Sequence, residues 1–288
     1  MVELQITLEL WYLFPVSILI ATIAMSSGIG GAVFFSPLFM LGLQLEPRIA
    51  VGAALATELF GFTSGLIAYL KAKLIDFKLA INLLLFAVPS AILGTFYAEH
   101  IPDVVLKTVF AVGLLFIGQQ LFSSWREEEL EDMDQKHQAE FQDDFESELT
   151  DATGKIYRYT VCNRNMGRSF AAVGGALLGM ISVGLAELQE YHLVARCKVP
   201  TPVAVATSIF VVVVTVFVAS AGHFYEFATE GGDIINQVLN IIMFTIPGVI
   251  IGGQIGPKLQ TVVPEDKMKA AISIAFMLIG FFMLYTLM

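Results

Sequence analysis

The stretch "IATIAMSSGIGGAVFFSPLF", residues 20–39, is apolar enough to enter a lipid bilayer, but its centre is interrupted. Two serines and three glycines, followed by a proline, stand where a continuous spanning helix needs none of them, and glycine weakens a helix. Glycine also lets the backbone turn where a Cβ atom would clash. The stretch therefore predicts two helical arms separated by a break at "SSGIGG".

Both predicted arms are too short to cross a membrane. Residues 11–27 and 32–43 would be about 26 Å and about 18 Å long as helices, whereas the hydrocarbon core is about 30 Å thick. We expect the arms to form a hairpin that enters the bilayer and returns. Irregular backbone at membrane depth is tolerated only where it lines a cavity or is buried in protein, so the break is a candidate binding site.

The whole chain has the composition of a membrane protein. Of its 288 residues, 56% are hydrophobic and 15% are charged, whereas a soluble domain carries about 25% charged residues. Apolar runs of roughly the 20 residues that cross a bilayer recur along the sequence, without the polar alternation of a β-barrel. The sequence predicts an all-α polytopic membrane protein. The runs are residues 11–27, 49–70, 79–98, 104–122, 170–186, 202–221, 237–256 and 268–287.

Four short segments of the first half recur in the same order in the second half. By aligned residues, the pairs are Thr57 with Thr207, Pro89 with Pro247, Lys107 with Lys269, and Gly118 with Gly280. We predict a first membrane repeat at 1–123, an acidic linker at 124–168 and a second membrane repeat at 169–288. Each repeat is expected to be a broken, re-entrant hairpin followed by three transmembrane helices.

The distribution of basic residues predicts that the repeats are inverted. With the N-terminus outside and the linker in the cytoplasm, 14 of the 16 Lys and Arg residues lie inside, and only Arg48 and Lys107 lie outside. A parallel arrangement of eight spans leaves 9 inside and 7 outside. Cytoplasmic loops carry an excess of Lys and Arg, which favours the inverted arrangement. Paired breaks in inverted halves are typical of secondary transporters.

One part of the linker carries the net charge of the chain. Residues 126–151 contain 12 acids and 2 bases, and the rest of the chain is balanced at 14 against 14. Apolar residues at helical spacing predict a solvated helix here, which could dock on the transporter or on a partner chain. The stripe consists of Leu130, Met133, His137, Phe141, Phe145 and Leu149.

The two breaks supply candidate ligands for a small anion. Freed backbone amides and the start of the next helical arm form a positive end that suits an anion, and hydroxyl groups add donors. The alternatives are close helix packing by small residues and threonines bonded to their own helix. The candidates are Ser26, Ser27, Gly28, Ile29, Gly30, Gly31, Thr57, Ser182, Gly184, Thr207 and Ser208.

Three acidic residues are candidates for proton coupling: Glu58, Glu187 and Glu190. Glu58 falls near the middle of a predicted span, where a charged carboxylate costs at least ~2.5 kcal/mol. Carboxylates kept at such depth usually serve a pathway or a proton relay. The alternative is a protonated carboxyl group that simply hydrogen-bonds a neighbouring helix.

The sequence lacks the marks of several other functions. It contains neither GxxxxGK[ST] nor HExxH, the motifs of ATP-driven transport and zinc proteolysis. Its four histidines are scattered, so no enzyme activity, metal or other cofactor is expected. Cys162 and Cys197 suggest no disulfide framework; Cys197 could be a reactive thiol or a small buried residue. The expected partners are a small anion, lipid and protons, with no nucleic acid, and a homo-oligomer is compatible with the sequence.

The motif "GIGGAVFFSPLFMLG", followed by "AVGAALATELF" and loosely repeated as "VPTPVAVATSIF", resembles the TauE/SafE family of sulfite exporters. The resemblance covers nearly both halves and excludes the linker. It implies secondary transport, commonly outward, of sulfite, thiosulfate, sulfoacetate or related anions. An anion or cation channel is the alternative, since "SSGIGG" could line a filter.

The chain departs from the family pattern at two places. Glu58 follows Thr57 where the family usually has Thr-Ser, and "SVGLAELQEY" stands where a glycine-rich second break is usual. Both departures add carboxylates, which leaves the identity of the anion open.

Overall fold

A computed structural model describes residues 8–27, 30–131, 147–230, 233–260 and 265–287. These residues form ten α-helices and one two-stranded sheet. In chain order they are α1 (Leu13–Ser27), α2 (Ala32–Pro37), α3 (Pro47–Ala72), α4 (Phe77–Ala98), α5 (Asp103–Glu131), β1 (Ser147–Thr150), β2 (Ile156–Tyr159), α6 (Arg164–Ile181), α7 (Leu185–Glu190), α8 (Thr201–Glu230), α9 (Ile234–Gln260) and α10 (Glu265–Thr286). A 3₁₀ turn precedes α1 at Leu8–Leu10, and π-helical turns continue α2 over Leu38–Gly42 and α7 over Tyr191–Arg196.

Several helices begin at residues whose chemistry favours a start. Pro47 opens α3, at a position where its missing N–H group is not needed. The Asp76 carboxylate accepts a hydrogen bond from the Leu79 amide at 3.0 Å and caps α4. The Asn163 side chain accepts one from the Met166 amide at 3.2 Å and caps α6. Each cap satisfies an amide that the helix itself leaves without a partner.

The helices confirm an all-α polytopic membrane protein. Five are long and apolar enough to cross a bilayer: α3, α4, α8, residues Asp103–Gln120 of α5 and Ile234–Gly256 of α9. The arms α1 and α2 are shorter, as the sequence predicts. Most of α3 and α8 is buried, whereas α4, α5 and α9 turn apolar faces outward. Such faces suit contact with lipid.

The helix contacts follow the predicted repeat. α1 packs along α9 as α6 packs along α4, and α3 packs on α9 as α8 packs on α4. α5 and α10 pack on each other, as do α3 and α8. Exchanging α1–α5 with α6–α10 therefore reproduces the same contacts. The contacts support two related halves, and their inverted orientation stays a prediction.

Aligned glycines mark equivalent close crossings in the two halves. A Cβ atom on Gly252 of α9 would lie 2.5 Å from the Ile18 carbonyl oxygen of α1. One on Gly94 of α4 would collide with the Ala176 carbonyl oxygen of α6. The backbones of each pair approach this closely because glycine has no side chain.

The end of the linker is a β-hairpin, so the predicted linker helix is wrong there. Leu149 lies in β1, which pairs antiparallel with β2. Leu130 belongs to α5, which continues past residue 123, and residues 132–146 lie outside the described ranges. Residues with high β-propensity in "IYRY" and a turn containing Gly154 at φ +89° favour a hairpin over a helix. The boundaries at 123 and 169 stay predictions.

Hydrogen bonds in the turn and at the base of this hairpin hold it in place. In the turn, the Asp151 carboxylate accepts hydrogen bonds from the backbone amide and from the hydroxyl group of Thr153. The bond from the hydroxyl group is the main cause of a lowered pKa of the Asp151 carboxyl group. At the base, the Tyr159 hydroxyl group donates to the Asp76 carboxylate at 2.8 Å. Burial raises the pKa of the Tyr159 phenol most, and this hydrogen bond raises it further. The hairpin is therefore docked on the loop between α3 and α4.

A disulfide joins Cys162 to Cys197, and the expectation of no disulfide is wrong. The two residues are 35 positions apart, and their Cα atoms are 5.1 Å apart. They meet because the segment after β2 packs on the end of the second broken segment, where Val161 and Leu193 share one apolar cluster. Such packing leaves no local signal in the sequence.

The bundle therefore has two distinct ends. The α3–α4 loop, the β-hairpin and Cys197 lie together at one end, here called the linker face. At the opposite end, Arg48 forms ion pairs with Glu226, at 3.1 Å, and with Glu230. The linker face thus unites the linker, which is predicted to be cytoplasmic, with the α3–α4 loop and the end of the second broken segment.

Candidate functional site

The first break lies between α1 and α2. Gly30 is buried there, and the amide of Ala32 opens the second arm. The Ser26 hydroxyl group donates to the Ile23 carbonyl at 2.8 Å and lies 3.0 Å from the Met268 sulfur of α10. Of the other predicted ligands, Gly28 and Ile29 lie outside the described residues, as does the side chain of Ser27.

The second break lies between α6 and α7. Ser182 has φ +58° and Gly184 has φ +109°, so the chain turns through left-handed conformations that end α6. Glycine adopts such angles without strain, and serine does so at a cost. The Gly184 amide donates to Glu187 Oε2 at 3.0 Å.

The two breaks meet inside the bundle. The hydroxyl oxygens of Ser36, in α2, and Ser182 are 2.6 Å apart, and both residues are buried. A Cβ atom on Gly30 would lie 3.0 Å from Glu58 Oε1 and 3.8 Å from Glu187 Oε1. The structure therefore brings the predicted residues Gly30, Glu58, Ser182 and Glu187 to one place. Sequence reasoning missed Ser36, although "FFSP" places it on the arm that follows the break.

Two amides of the breaks already hold carboxylates. The Ala32 amide donates to Glu58 Oε1 at 3.0 Å, and the Gly184 amide donates to Glu187 Oε2. Glu58 is only 4% exposed. From the sequence we expected the amides of the breaks to bind an anion. In the structure, these two amides donate instead to carboxylates of the protein itself.

The aligned threonines make contacts between helices. Thr57 donates to the Ala53 carbonyl oxygen of its own helix at 2.8 Å, and its hydroxyl oxygen is 2.7 Å from that of Thr245 in α9. Thr207 accepts a bond from the Asp76 amide at 3.0 Å. A role for either threonine in binding substrate stays a prediction.

Comparison with known proteins decides the family. The family model "Sulfite exporter TauE/SafE" matches residues 13–283, a range that includes both breaks. The chain belongs to the TauE/SafE family. The "Probable membrane transporter protein YunE" of Bacillus subtilis (strain 168) is 22% identical over 280 residues, which cover 95% of this chain and 96% of that protein. No solved structure matches the chain.

Membership in the TauE/SafE family confirms the resemblance that the two breaks carry, and it makes the chain a membrane transporter rather than an enzyme. The two departures of this chain from the usual TauE/SafE pattern can be located in the structure. Glu58 belongs to one departure and Glu187 to the other, and both face Gly30. The two departures are therefore neighbours in the fold.

Two small cavities adjoin the breaks in the described part of this TauE/SafE protein. One of about 20 Å³ lies beside Glu58 and Gly31. Another of about 10 Å³ is lined by Glu190 and Ser208, whose hydroxyl group has no hydrogen-bond partner among the described residues. Each volume is near that of one water molecule.

A larger cavity of about 70 Å³ opens at the linker face. Its lining includes the basic side chains of Lys78 and Arg164 beside the carboxylate of Asp76. His192 also borders it, and the ligand atoms of His192, Cys162 and Cys197 lie within 4.8 Å of one another. Since the two sulfur atoms are bonded to each other, this group forms a covalent tie rather than a metal centre.

Proposed function

We propose that this TauE/SafE protein is a secondary transporter, and specifically an exporter, of small sulfur-containing anions such as sulfite, thiosulfate or organosulfonates. The observation that carries the proposal is the meeting of the two breaks through Ser36 and Ser182. Transporters built from two repeats bind substrate where broken helices of the repeats face each other. The anion is bound between the breaks and released by alternating access.

The size of the cavities supports alternating access. The space beside Glu58 holds about one water molecule, so in this proposal a larger anion binds there after one repeat rocks against the other. The Ser36–Ser182 contact joins segments from the two halves and would break in that motion. A channel would instead require a continuous path through both breaks.

The basic groups at the linker face support the direction of transport. Lys78 and Arg164 line the cavity there, and cationic linings raise the local concentration of anions. With the N-terminus outside, the linker face is cytoplasmic, so this cavity would collect anions from the cell interior. The proposed direction is therefore outward.

Counterflow in proteoliposomes tests the proposal. Purified protein is reconstituted and loaded in turn with unlabelled sulfite, thiosulfate, sulfoacetate or sulfate, and entry of the same radiolabelled anion is followed. We expect saturable counterflow for at least one sulfur anion and none in protein-free liposomes. Single-channel currents without counterflow would favour the channel. Absence of both would reject transport of these anions.

A further inference from the structure

The carboxylates of Glu58 and Glu187 stand in equivalent roles at the two breaks. Each accepts a backbone hydrogen bond of 3.0 Å, Glu58 from the Ala32 amide and Glu187 from the Gly184 amide. A bound oxyanion would make the same contacts with the same donors. The protein's own carboxylates thus occupy positions that suit the anion.

Glu187 has capacity for one more partner. Its second oxygen, Oε1, is buried and makes no hydrogen bond to any described residue. This oxygen faces the position of a Cβ atom on Gly30, 3.8 Å away, and Glu58 Oε1 faces the same position at 3.0 Å. A buried oxygen without a partner is costly. A proton held by the pair would lower that cost.

No described basic side chain forms an ion pair with Glu58 or Glu187. α1, α2 and Ile234–Gly256 of α9 contain no titratable side chain. On α7 the other acid is Glu190, which lines the cavity with Ser208 and interacts with Tyr69 near the end of α3. Two buried carboxylates without a paired cation repel each other and lose hydration. At most one of the two is therefore ionised at a time.

Basic groups on the neighbouring elements lie toward the two ends of the bundle. Beyond α7, His192 lies near Cys197, and Arg196 contacts the Met166 sulfur, both at the linker face. On α8, His223 lies beside Glu226, toward the opposite end, and its Nε2 atom is 3.0 Å from the Gly179 carbonyl oxygen of α6. The charge of the pair is therefore balanced most directly by a proton.

We propose that Glu58 and Glu187 are built-in substitutes for the transported anion, which share one proton and hold the amides of the two breaks while the site is empty, and which release the amides when the pair takes up a second proton. The proposal rests on the proposed function for the identity of the cargo. An ionised carboxylate is a strong acceptor for an amide. Once protonated it is a weaker acceptor, and its O–H group can donate to the oxyanion. The same carboxyl group thus changes from a competitor of the anion into a ligand of the anion.

This exchange makes proton binding and anion binding parts of one event. The carboxylate gains the proton and keeps it while the anion occupies the amides. When the anion leaves, this second proton leaves, the pair keeps the proton that it shares, and the carboxylate returns to the amide. Because one proton is taken up with each anion, the anion binds about tenfold more tightly for each unit of decrease in pH. The dependence ends at the low pH where the empty pair already holds both protons.

The test measures thiosulfate binding and proton uptake by the purified protein between pH 6 and 8, because thiosulfate itself keeps its charge there. For the unmodified protein we expect affinity to rise about tenfold per unit of decrease in pH, with a proton taken up on binding. For the double variant Glu58→Gln/Glu187→Gln we expect affinity that no longer varies with pH, and no proton uptake. Glu99→Gln, which changes an exposed acid near the opposite end, is the matched control and should behave as the unmodified protein.

Two results would overturn the inference: a double variant that keeps the full pH dependence, or a folded double variant that no longer binds thiosulfate at any pH. Infrared spectra of the anion-free protein provide a readout that does not depend on transport. We expect a carboxylic-acid band that weakens in Glu58→Gln or Glu187→Gln. If the protein transports none of the tested anions but shows this band, the proposed function fails and the shared proton stands. If the band is absent, the inference fails even where transport is observed.

Discussion

The hydroxyl oxygens of Ser36 and Ser182 lie 2.6 Å apart and join a helical arm of the first repeat to the break of the second. Both residues are buried, so removal of one hydroxyl group leaves the other with fewer partners. Loss of a buried hydrogen-bond partner costs about 1–3 kcal/mol. The contact therefore couples the two halves at the place where the proposed transport cycle would separate them.

Replacement of these serines is expected to be non-additive. Ser36→Ala and Ser182→Ala should each lower the stability of the detergent-solubilised protein by about 1–3 kcal/mol. The double variant should cost less than the two single changes together, because the second removes a group whose partner is already gone. Thermal unfolding of all four proteins measures the coupling. Fully additive losses would show that the hydroxyl groups act independently.

A methyl group at Gly30 is expected to impair transport. Its Cβ atom would lie 3.0 Å from Glu58 Oε1, so Gly30→Ala should displace this carboxylate from the Ala32 amide. We expect at least a severalfold loss of counterflow with normal amounts of protein in the membrane. The control is Gly42→Ala, whose new atom would be 3.5 Å from a methyl carbon of Leu38, an ordinary contact. Equal loss in both variants would point to a general effect on folding.

The aligned glycines Gly94 and Gly252 are expected to be equally intolerant of a side chain. Each faces a backbone carbonyl oxygen of the helix that it crosses, so Gly94→Ala and Gly252→Ala must push two helices apart. Overpacking of this kind costs about 1–3 kcal/mol, measurable as a lower unfolding temperature. Gly113→Ala is the control, because its nearest neighbour would be a methyl carbon of Ile181 at 3.8 Å. Unchanged stability of Gly252→Ala would contradict this crossing.

The two ends of the bundle are expected to face opposite sides of the membrane. Ala228 lies near the end of α8 and Lys71 near the end of α3, and both are exposed. In a background of Cys162→Ser and Cys197→Ser, Ala228→Cys should react with an impermeant thiol reagent added outside cells. Lys71→Cys should react only after the membrane is permeabilised. Reaction of both in intact cells would contradict the predicted topology.

The tie between Cys162 and Cys197 is expected to stabilise the docked hairpin. It closes a loop across 35 positions, for which restriction of the unfolded chain is worth about 3–4 kcal/mol. A reductant should therefore lower the unfolding temperature of the purified protein. The double variant Cys162→Ser/Cys197→Ser should already unfold at the lower temperature and not respond to reductant. Disulfides are rare in the cytoplasm. Free thiols are therefore blocked in cells before extraction, and the fraction of protein that carries the Cys162–Cys197 bond shows whether the bond forms in cells.

Local chemistry in the sequence determined the membrane class, the helical segments and both breaks. Entry into lipid depends on apolar content over about 20 consecutive residues, which any window of sequence reveals. The glycines around Gly30 and the short arms beside them predicted the first interruption. The repeat then pointed to the second, where Ser182 and Gly184 adopt left-handed angles. These features depend on near neighbours along the chain.

Tertiary structure alone decided which of these features meet. Glu58 and Glu187 lie in different halves of the sequence, and their common position at Gly30 depends on how α3 and α7 pack. The hairpin at Leu149 replaced a predicted helix because pairing with β2 and docking override a weak apolar spacing. The Cys162–Cys197 bond likewise follows from that docking. Contacts between residues far apart in sequence arise from helix packing, which periodicity and composition do not encode position by position.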